Sequence, residues 1–160
     1  QNKKNRRNMN TSIKFNTDKL FTNITDQVQS FLNKNNYTEG IVTVFSPHTT
    51  CCIWLTEDEL LHLADVRFFL DTIAPASKDP EGRQKNTKYL HDIISLRNDV
   101  SVDEPINGHS HIRSMFFSSS ESIPVINSKL CLGKWKQIFI VELDPNRDRE
   151  VLVTYLGKNK

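Results

Sequence analysis

Four strand-like segments follow one another in the last third of the chain, and this run constrains the fold more than any other feature. Each is rich in β-branched and apolar residues, and turn-forming stretches such as Asn-Ser-Lys and Asp-Pro-Asn-Arg-Asp-Arg separate them. Strands joined by short turns pair as antiparallel neighbours, because a parallel pair needs a crossover of a dozen or more residues. The sequence therefore predicts an antiparallel sheet that contains residues 123–126, 130–132, 135–143 and 151–156.

The first half of the chain supplies further strands. Ile13 and Phe15 alternate with polar residues, which predicts a first strand with one buried face. Residues 41–45, IVTVF, are apolar on both faces, and we therefore expect them to form a central strand of a sheet. Residues 49–55 are again β-branched and aromatic and are predicted to form the next strand.

Helices are predicted between these groups of strands. Apolar residues recur at helical spacing over 24–32, where Asn23 is the predicted N-cap, and again over 61–69. A third helical segment is predicted at 111–117, whereas 91–105 fits a helix or a strand equally well. About seven strands and two or three helices, with the strands mostly joined by short turns, give the fold class α+β.

The positive charge of the chain is concentrated at its beginning. Four of the 21 basic residues lie within residues 1–8, which leaves 17 basic against 19 acidic residues in the remainder. A near-neutral body does not present the clustered Lys and Arg that nucleic-acid binding requires, so no nucleic-acid partner is expected. We predict a disordered basic tail over 1–10, a single domain over 11–160 and a mobile loop over 75–88.

Neither the hydropathy nor the cysteines indicate export. No apolar run approaches the roughly 20 residues that span a bilayer, and no charged-then-apolar leader of the secretory kind is evident. The three cysteines, an odd number without regular spacing, indicate neither a disulfide framework nor a C-x-x-C zinc site. Both features predict a soluble cytoplasmic protein with reduced thiols and no membrane partner.

Histidines are the residues with the greatest chemical potential in this sequence. His48, His91, His109 and His111 stand in segments that could line one cavity, and imidazole both ligates zinc-like ions and moves protons near neutral pH. In an extended segment His109 and His111 would face the same side, whereas on a helix they would diverge by roughly 200°. Pro105 and Gly108 favour an extended or turn conformation for this stretch. The alternative is a set of unrelated structural histidines, which is the role we assign to His62 within its predicted helix.

A second chemical possibility involves the residues around His48. Cys51 follows His48 by three residues, so a thiol nucleophile with a nearby base is one hypothesis. A small buried residue on a strand is the interpretation that we favour for Cys51, and Cys52 should then face the opposite side of the sheet. Hydroxyl and basic side chains that would hold a phosphate are also present, namely Thr49, Thr50, Arg113, Lys134, Lys136 and Arg147. No Gly-rich phosphate loop occurs, which argues against the common nucleotide enzymes.

Three motifs together resemble the YjbQ family, and the similarity runs in order over nearly the whole chain after the tail. They are GIVTVFSPHTT at 40–50, NGHSHIRS at 107–114 and SESIPVINSKLCLGKWKQIFIVELD at 120–144. His48 matches the histidine of the family's P-H-T-T motif, His91 the histidine after a tyrosine, and Asn107 with His111 the N-x-x-x-H pair. The resemblance implies a YjbQ-like α+β sandwich of mostly antiparallel strands that assembles as a homotrimer, with the histidines near a subunit interface.

The resemblance also implies a function. Members of the family are associated with a weak thiamine-phosphate synthase activity, in which a pyrimidine diphosphate is joined to a thiazole phosphate with loss of pyrophosphate. We therefore expect a metal-assisted transferase that acts on a small phosphorylated heteroaromatic substrate and uses a divalent metal, zinc or magnesium. The alternative is a non-catalytic trimeric protein that binds a small metabolite. The candidate site residues are His48, His91 and His111 for catalysis; Thr49, Thr50, Asn107, Arg113 and Trp135 for substrate binding; and His91, His109 and His111 as metal ligands.

Overall fold

The computed structural model describes residues 9–77, 89–101 and 104–159, which form eight strands and three α-helices. The strands are β1 (Asn10–Phe15), β2 (Phe21–Asn23), β3 (Tyr37–Phe45), β4 (Cys51–Glu57), β5 (Ser120–Ile126), β6 (Lys129–Leu130), β7 (Lys136–Glu142) and β8 (Arg149–Asn159). The helices are α1 (Thr25–Lys34), α2 (Leu60–Ile73) and α3 (Gly108–Ser114), and two 3₁₀ turns lie at Leu90–Asp92 and Ile94–Leu96. Most of the predicted tail and most of the predicted mobile loop, residues 1–8 and 78–88, lie outside the described residues.

Two antiparallel sheets are built from these strands. The larger sheet has the order β1-β8-β3-β5-β6, and the smaller has the order β2-β7-β4. The predicted α+β class and the antiparallel pairing of the C-terminal strands are confirmed. Those strands do not share one sheet, however, because β7 pairs with β2 and β4 while β5, β6 and β8 belong to the larger sheet.

The main core lies between the two sheets, and α1 closes one side of it. Alternate residues of β3, β7 and β8 point inward, as the two-residue period of a strand requires. Their buried side chains are Val42, Val44, Ile138, Ile140, Val151 and Val153, and α1 adds Val28, Phe31 and Leu32. The sandwich therefore depends mainly on β-branched residues at every second position, which is the pattern that predicted the strands.

A second, smaller core lies on the other face of the smaller sheet, beneath α2. Leu70 of α2 packs there with Cys52, Val141 and Leu143. The helix begins after Glu59, whose carboxylate accepts the backbone N–H groups of Leu61 and His62 at 2.8 Å. Although α2 is the longest helix of the described ranges, no helix there has the length and apolar character that crossing a membrane requires.

The outer face of the larger sheet corrects one expectation about β3. The strand is central in its sheet, as predicted, but only one of its faces is buried. Ile41 is 48% exposed and Phe45 is 39% exposed, and their cross-strand neighbours Leu156 and Leu152 are exposed as well. The prediction that both faces of this strand are buried is therefore wrong, because no layer of the described residues covers the outer face.

Helix α3 is fixed to one end of the sandwich, which we call the α3 end and which comprises residues 46–51, 142–150 and α3. Ser110 Oγ donates to the carbonyl of Leu143, just after β7, at 2.6 Å. The Leu143 N–H in turn donates to the carbonyl of Thr50, just before β4. The first 3₁₀ turn packs beside α3. Four separate parts of the chain therefore meet at this end, and most of the candidate site residues lie here.

Candidate functional site

His91 and His111 are brought together at the α3 end. Their ring centroids are 4.5 Å apart and the ring planes are inclined by 34°. His91 lies in the first 3₁₀ turn and His111 lies in α3, so the contact joins two segments that sequence analysis could only list side by side. Two part-buried imidazoles in contact form the strongest chemical feature of the described residues.

The carboxylate of Asp92 holds these two segments in place. Asp92 is buried, its Oδ1 accepts the backbone N–H of Gly108 at 2.7 Å, and its Oδ2 accepts the Ser77 hydroxyl at 2.6 Å. Gly108 is the first residue of α3, so this carboxylate satisfies one of the backbone donors that a helix leaves open at its start. The position of His111 relative to His91 therefore depends on Asp92.

The environment of α3 keeps its histidines neutral. Burial lowers the pKa of His111 below its usual value of 6.5, and the adjacent His91 ring lowers it further. Burial also lowers the pKa of His109, with a second contribution from the Arg113 charge. A neutral imidazole retains a lone pair on one ring nitrogen, so His111 is prepared to ligate a metal or accept a proton near neutral pH.

His109 does not face the same side as His111, as it would in an extended segment. Residues 108–114 form a helix, so the expectation that His109 and His111 lie in an extended stretch is wrong. At 3.6 residues per turn the two side chains diverge by roughly 200°. His109 contacts the Ser110 hydroxyl at 3.3 Å through Nε2, and its buried Nδ1 has no hydrogen-bond partner among the described residues. Helix formation follows from the contacts of Asp92 and Leu143, which are distant in sequence.

Asn107 and Asp144 form a polar link beside the pair. Asn107 donates from Nδ2 to Asp144 Oδ2 at 2.9 Å, and Arg147 Nε contacts the same oxygen at 2.8 Å. The carbonyl of Asn107 accepts backbone N–H groups of α3, including that of His111. Its side-chain Oδ1 is buried and has no hydrogen-bond partner among the described residues. Asn107, a predicted substrate-binding residue, therefore lies next to His111 with an open acceptor.

A buried ion pair extends the polar network under this link. Arg149 contacts both carboxylate oxygens of Glu142, at 2.6 and 2.9 Å, and its Nη2 also donates to Thr50 Oγ1 at 2.9 Å. Both side chains are nearly inaccessible to solvent. Thr50, a predicted substrate-binding residue, is therefore buried and engaged by Arg149, while its neighbour Thr49 is exposed in the turn.

His48 occupies a separate position at the α3 end. Its Nε2 accepts the backbone N–H of Glu150 at 3.1 Å, so this nitrogen is not free and the proton of a neutral ring is on Nδ1. The ring borders a hollow of about 390 Å³, whose other walls include Ser114 and Phe117. Among the described residues, no hydrogen bond or ring contact joins His48 to the His91–His111 pair.

Two other predicted substrate-binding residues have different surroundings. The Arg113 guanidinium is buried and donates to the Ala74 carbonyl and to Asp71, which ties α3 to the C-terminal end of α2. Trp135 precedes β7 and is 61% exposed, with Lys134 Nζ 4.5 Å from the ring centroid. The α3 end lies beyond the opposite end of β7, roughly 20 Å away at about 3.3 Å per residue. Neither residue shares the surroundings of the histidine pair.

The cysteine hypothesis fails on burial. Cys51 has no exposed surface, and desolvation raises the pKa of its thiol to about 11. Desolvation raises the pKa of Cys52 to about 12. Because the nearby His48 already accepts a backbone N–H, no base stands ready to deprotonate Cys51. The favoured interpretation, a small buried residue on a strand with Cys52 facing the opposite core, is confirmed.

Sequence reasoning missed Asp92 and Arg149, the two residues that organise the α3 end. Arg149 has the same strand parity as Val151 and Val153, so its inward direction could have been read from the two-residue period. Asp92 follows His91 directly, but its buried position arises from the distant partners Ser77 and Gly108, which leave no local signal.

Comparison with known proteins places this chain among a group of related sequences. A family model described as UPF0047 protein YjbQ-like matches residues 9–158. A UPF0047 protein of Methanothermobacter thermautotrophicus is 32% identical over 135 residues, which cover 84% of this chain and 81% of the relative. A UPF0047 protein of Archaeoglobus fulgidus is 31% identical over 133 residues, which cover 83% of this chain and 88% of the relative.

Solved structures with the same fold agree with this result. A hypothetical protein of Aeropyrum pernix matches with a TM-score of 0.77 at 24% identity, over 93% of this chain and 98% of its own. A YbjQ-like protein of unknown function from Sulfolobus solfataricus matches with a TM-score of 0.75 at 26% identity, over 93% of this chain and 96% of its own. With the family model spanning nearly the whole described fold, the chain belongs to the YjbQ-like UPF0047 family.

Proposed function

We propose that this protein is a metal-assisted enzyme that acts on a small phosphorylated heteroaromatic substrate, with a thiamine-phosphate synthase-like transfer as its reaction. The His91–His111 pair is the observation that carries this proposal, because two imidazoles lie 4.5 Å apart between centroids. Burial lowers the pKa of His111, which favours its neutral form, and about a third of the His91 side chain remains accessible to solvent (32%). Neutral imidazoles with open nitrogens are suited to metal ligation and to proton transfer.

The residues present fit the family's implied metal in part. Zinc takes three or four protein ligands, and the described residues contain no group of three His, Cys, Asp or Glu side chains placed to hold a metal ion. His91 and His111 would therefore supply two ligands, and water, substrate or a second subunit would supply the others. Imidazole donors favour zinc over magnesium, since magnesium prefers oxygen ligands and keeps several waters.

The proposed reaction assigns distinct tasks to the residues around the pair. In this transfer the thiazole nitrogen would use its lone pair to bond to the carbon that carries the diphosphate, as the bond from that carbon to the pyrophosphate oxygen breaks. Pyrophosphate leaves with the electrons of the broken bond, and a bound divalent metal would offset its negative charge. A histidine of the pair would hold or move a proton at its open ring nitrogen. Asn107 would hold the Asp144 carboxylate in place through Nδ2, and Arg147, which uses Nε for the same carboxylate, would present its terminal amino groups to a phosphate.

Assembly as a homotrimer is part of the proposal. Eight apolar side chains on α2 and in or just after α3 each leave about two-fifths or more of their surface exposed, which is more than a monomer ordinarily shows to water. This α2–α3 apolar surface comprises Leu60, Leu61, Phe68, Phe69, Ile73, Ile112, Met115 and Phe116. Because Ile112 is next to His111, subunit contact over this surface would bring a neighbouring chain close to the histidine pair.

Replacement of His111 by Ala tests the proposed site. We expect the purified His111→Ala protein to lose most of its bound zinc and to form thiamine phosphate at least about a hundredfold more slowly, the loss usual when an acid–base group is removed. His62→Ala is the matched control, since His62 Nε2 contacts Thr56 Oγ1 on α2's side of the molecule. Unchanged metal content and unchanged turnover in His111→Ala would reject the site.

Non-catalytic binding is a second function, and the hollow beside His48 favours it. Its volume of about 390 Å³ falls within the range of small-ligand pockets. His48 Nδ1–H and nearby serine hydroxyls would bind a small polar metabolite there. This function predicts that thiamine phosphate or inorganic pyrophosphate raises the melting temperature without turnover. Turnover above that of the metal-stripped protein would eliminate it.

A further inference from the structure

Asp92 has a second relation to the histidine pair besides its bond to α3. The side chain of Asp92 is fully buried, and its Oδ1 lies 4.0 Å from Nδ1 of the adjacent His91. That nitrogen is itself buried and has no hydrogen-bond partner among the described residues. The carboxylate and the unsatisfied ring nitrogen are therefore close enough for an electrostatic interaction but too far apart for a hydrogen bond.

The proton on His91 has a preferred position in this arrangement. Because both oxygens of Asp92 accept hydrogen bonds, from Gly108 and Ser77, the group is an acceptor and carries negative charge toward His91. A negative acceptor favours an N–H group on the ring nitrogen that faces it. The proton would then sit on Nδ1, and the lone pair would lie on Nε2. Histidines that ligate metals commonly have this arrangement, with a carboxylate that fixes the tautomer through the second nitrogen.

We infer that Asp92 is a positioning residue: it selects the Nδ1–H tautomer of His91 and thereby makes Nε2 the nitrogen that the histidine pair offers to a metal or substrate. The role assigned to Nε2 rests on the proposed function, because it requires a ligand that binds at the histidine pair. The preferred tautomer itself depends only on Asp92 and His91. Asp92 acts on both members of the pair, since the same oxygen that faces His91 holds the first turn of α3 and with it His111.

The tautomer of His91 can be measured directly. In protein labelled with ¹⁵N-histidine, two-bond ¹⁵N–¹H correlation spectra in mildly alkaline, metal-free solution distinguish the nitrogen that bears the proton, and His91→Gln assigns the signal. We expect the Nδ1–H form to predominate for His91 in the unaltered protein. A predominant Nε2–H form would overturn the inference without any need for a variant.

The Asp92→Asn variant distinguishes the effect of Asp92 on the His91 tautomer from its role in holding α3. Asparagine can still accept from Gly108 and donate to Ser77, so α3 keeps its attachment while the negative charge is lost. We expect the ratio of Nδ1–H to Nε2–H forms of His91 to fall about tenfold, as the loss of a charge-assisted contact implies. Ser77→Ala is the matched control, because it removes a bond to the same carboxylate and keeps the charge. Equal ratios in all three proteins would show a purely structural role.

The outcomes for Asp92 and for the proposed function are distinguishable. If the ratio of Nδ1–H to Nε2–H forms falls in Asp92→Asn as expected, while metal content and turnover are unchanged in His111→Ala, the Asp92 inference is retained and the proposed enzymatic function is rejected. Loss of metal in His111→Ala together with an Nε2–H form of His91 would retain the site and reject the role of Asp92. Circular dichroism of each variant is recorded first, to confirm that the fold is kept before the NMR spectra, metal content and turnover are compared.

Discussion

Gly108 stands where α3 meets the first 3₁₀ turn, and its lack of a side chain permits the histidine pair to form. A Cβ atom at this position would lie 2.6 Å from Tyr89 Cβ and 2.9 Å from Asp92 Oδ1. Separations below about 3 Å do not occur between such atoms in folded proteins, so one of the two segments would have to move. The absence of a Cβ at Gly108 therefore permits the start of α3 to lie against Tyr89 and Asp92.

Gly108→Ala should loosen this junction. We expect the free energy of unfolding to fall by about 1–3 kcal/mol, the usual cost of overpacking a filled site, although alanine is otherwise the better helix residue. Gly133→Ala is the control, because a Cβ there would meet no atom within 4 Å. Urea unfolding followed by circular dichroism measures both variants. Equal stability of the two would contradict the close packing at Gly108.

At the scale of elements, the buried Arg149–Glu142 pair joins three strands. Glu142 ends β7, Arg149 begins β8, and the Thr50 hydroxyl that Arg149 also reaches precedes β4. Two charges this deeply buried remain stable only while each satisfies the other. The pair closes the end of the core between the sheets, so both sheets depend on one contact at the α3 end.

Arg149→Met should be strongly destabilising. Methionine preserves much of the volume but leaves the Glu142 carboxylate buried without its partner, which costs about 3–5 kcal/mol in comparable pairs. The partly exposed pair of Arg97 with Glu104 is the internal control, and Arg97→Met should change stability by less than about 1 kcal/mol. Chemical denaturation at constant pH compares them. A loss in Arg149→Met no larger than that in Arg97→Met would mean that the buried pair contributes little.

At the scale of the whole molecule, the antiparallel pairing of the strands was predictable from the sequence pattern, whereas their division into two sheets was not. Short turns between the C-terminal segments require antiparallel neighbours, and inward Val151 and Val153 follow the expected alternation. The same pattern cannot show that β7 leaves its sequence neighbours to pair with β2 and β4, because strand order depends on contacts far apart in the chain.

At the candidate site, only part of the geometry was predictable from the sequence. The motif histidines His91 and His111 do meet, but the helical position of His109 was missed because Asp92 and Leu143, which fix α3, lie at a distance in the sequence. The pattern of apolar residues indicates only the local secondary structure of a segment. It cannot indicate that the Asp92 carboxylate, from another segment, accepts a hydrogen bond from the first residue of α3.

Two uncovered apolar regions, the outer face of the larger sheet and the α2–α3 apolar surface, lead to a prediction about assembly. We expect light scattering after size exclusion to give about three times the chain mass of 18.5 kDa. Phe68→Lys, which places a charge on a side chain that is 74% exposed in one chain, should shift the protein toward monomers. Gln27→Lys, at an exposed position of α1, is the control and should leave the mass unchanged. A monomeric mass for the unaltered protein would refute the trimer.

The adjacent cysteines of β4 belong to different cores, and this makes them natural reporters of how the layers come apart. Cys51 faces the space between the sheets, whereas Cys52 faces the smaller core under α2. If the helical layer detaches first, an alkylating reagent will modify Cys52 while Cys51 stays protected, and one peptide in a mass spectrum will record both rates. Two neighbouring cysteines on one strand thus allow the order in which the two cores open to be measured without any engineered label.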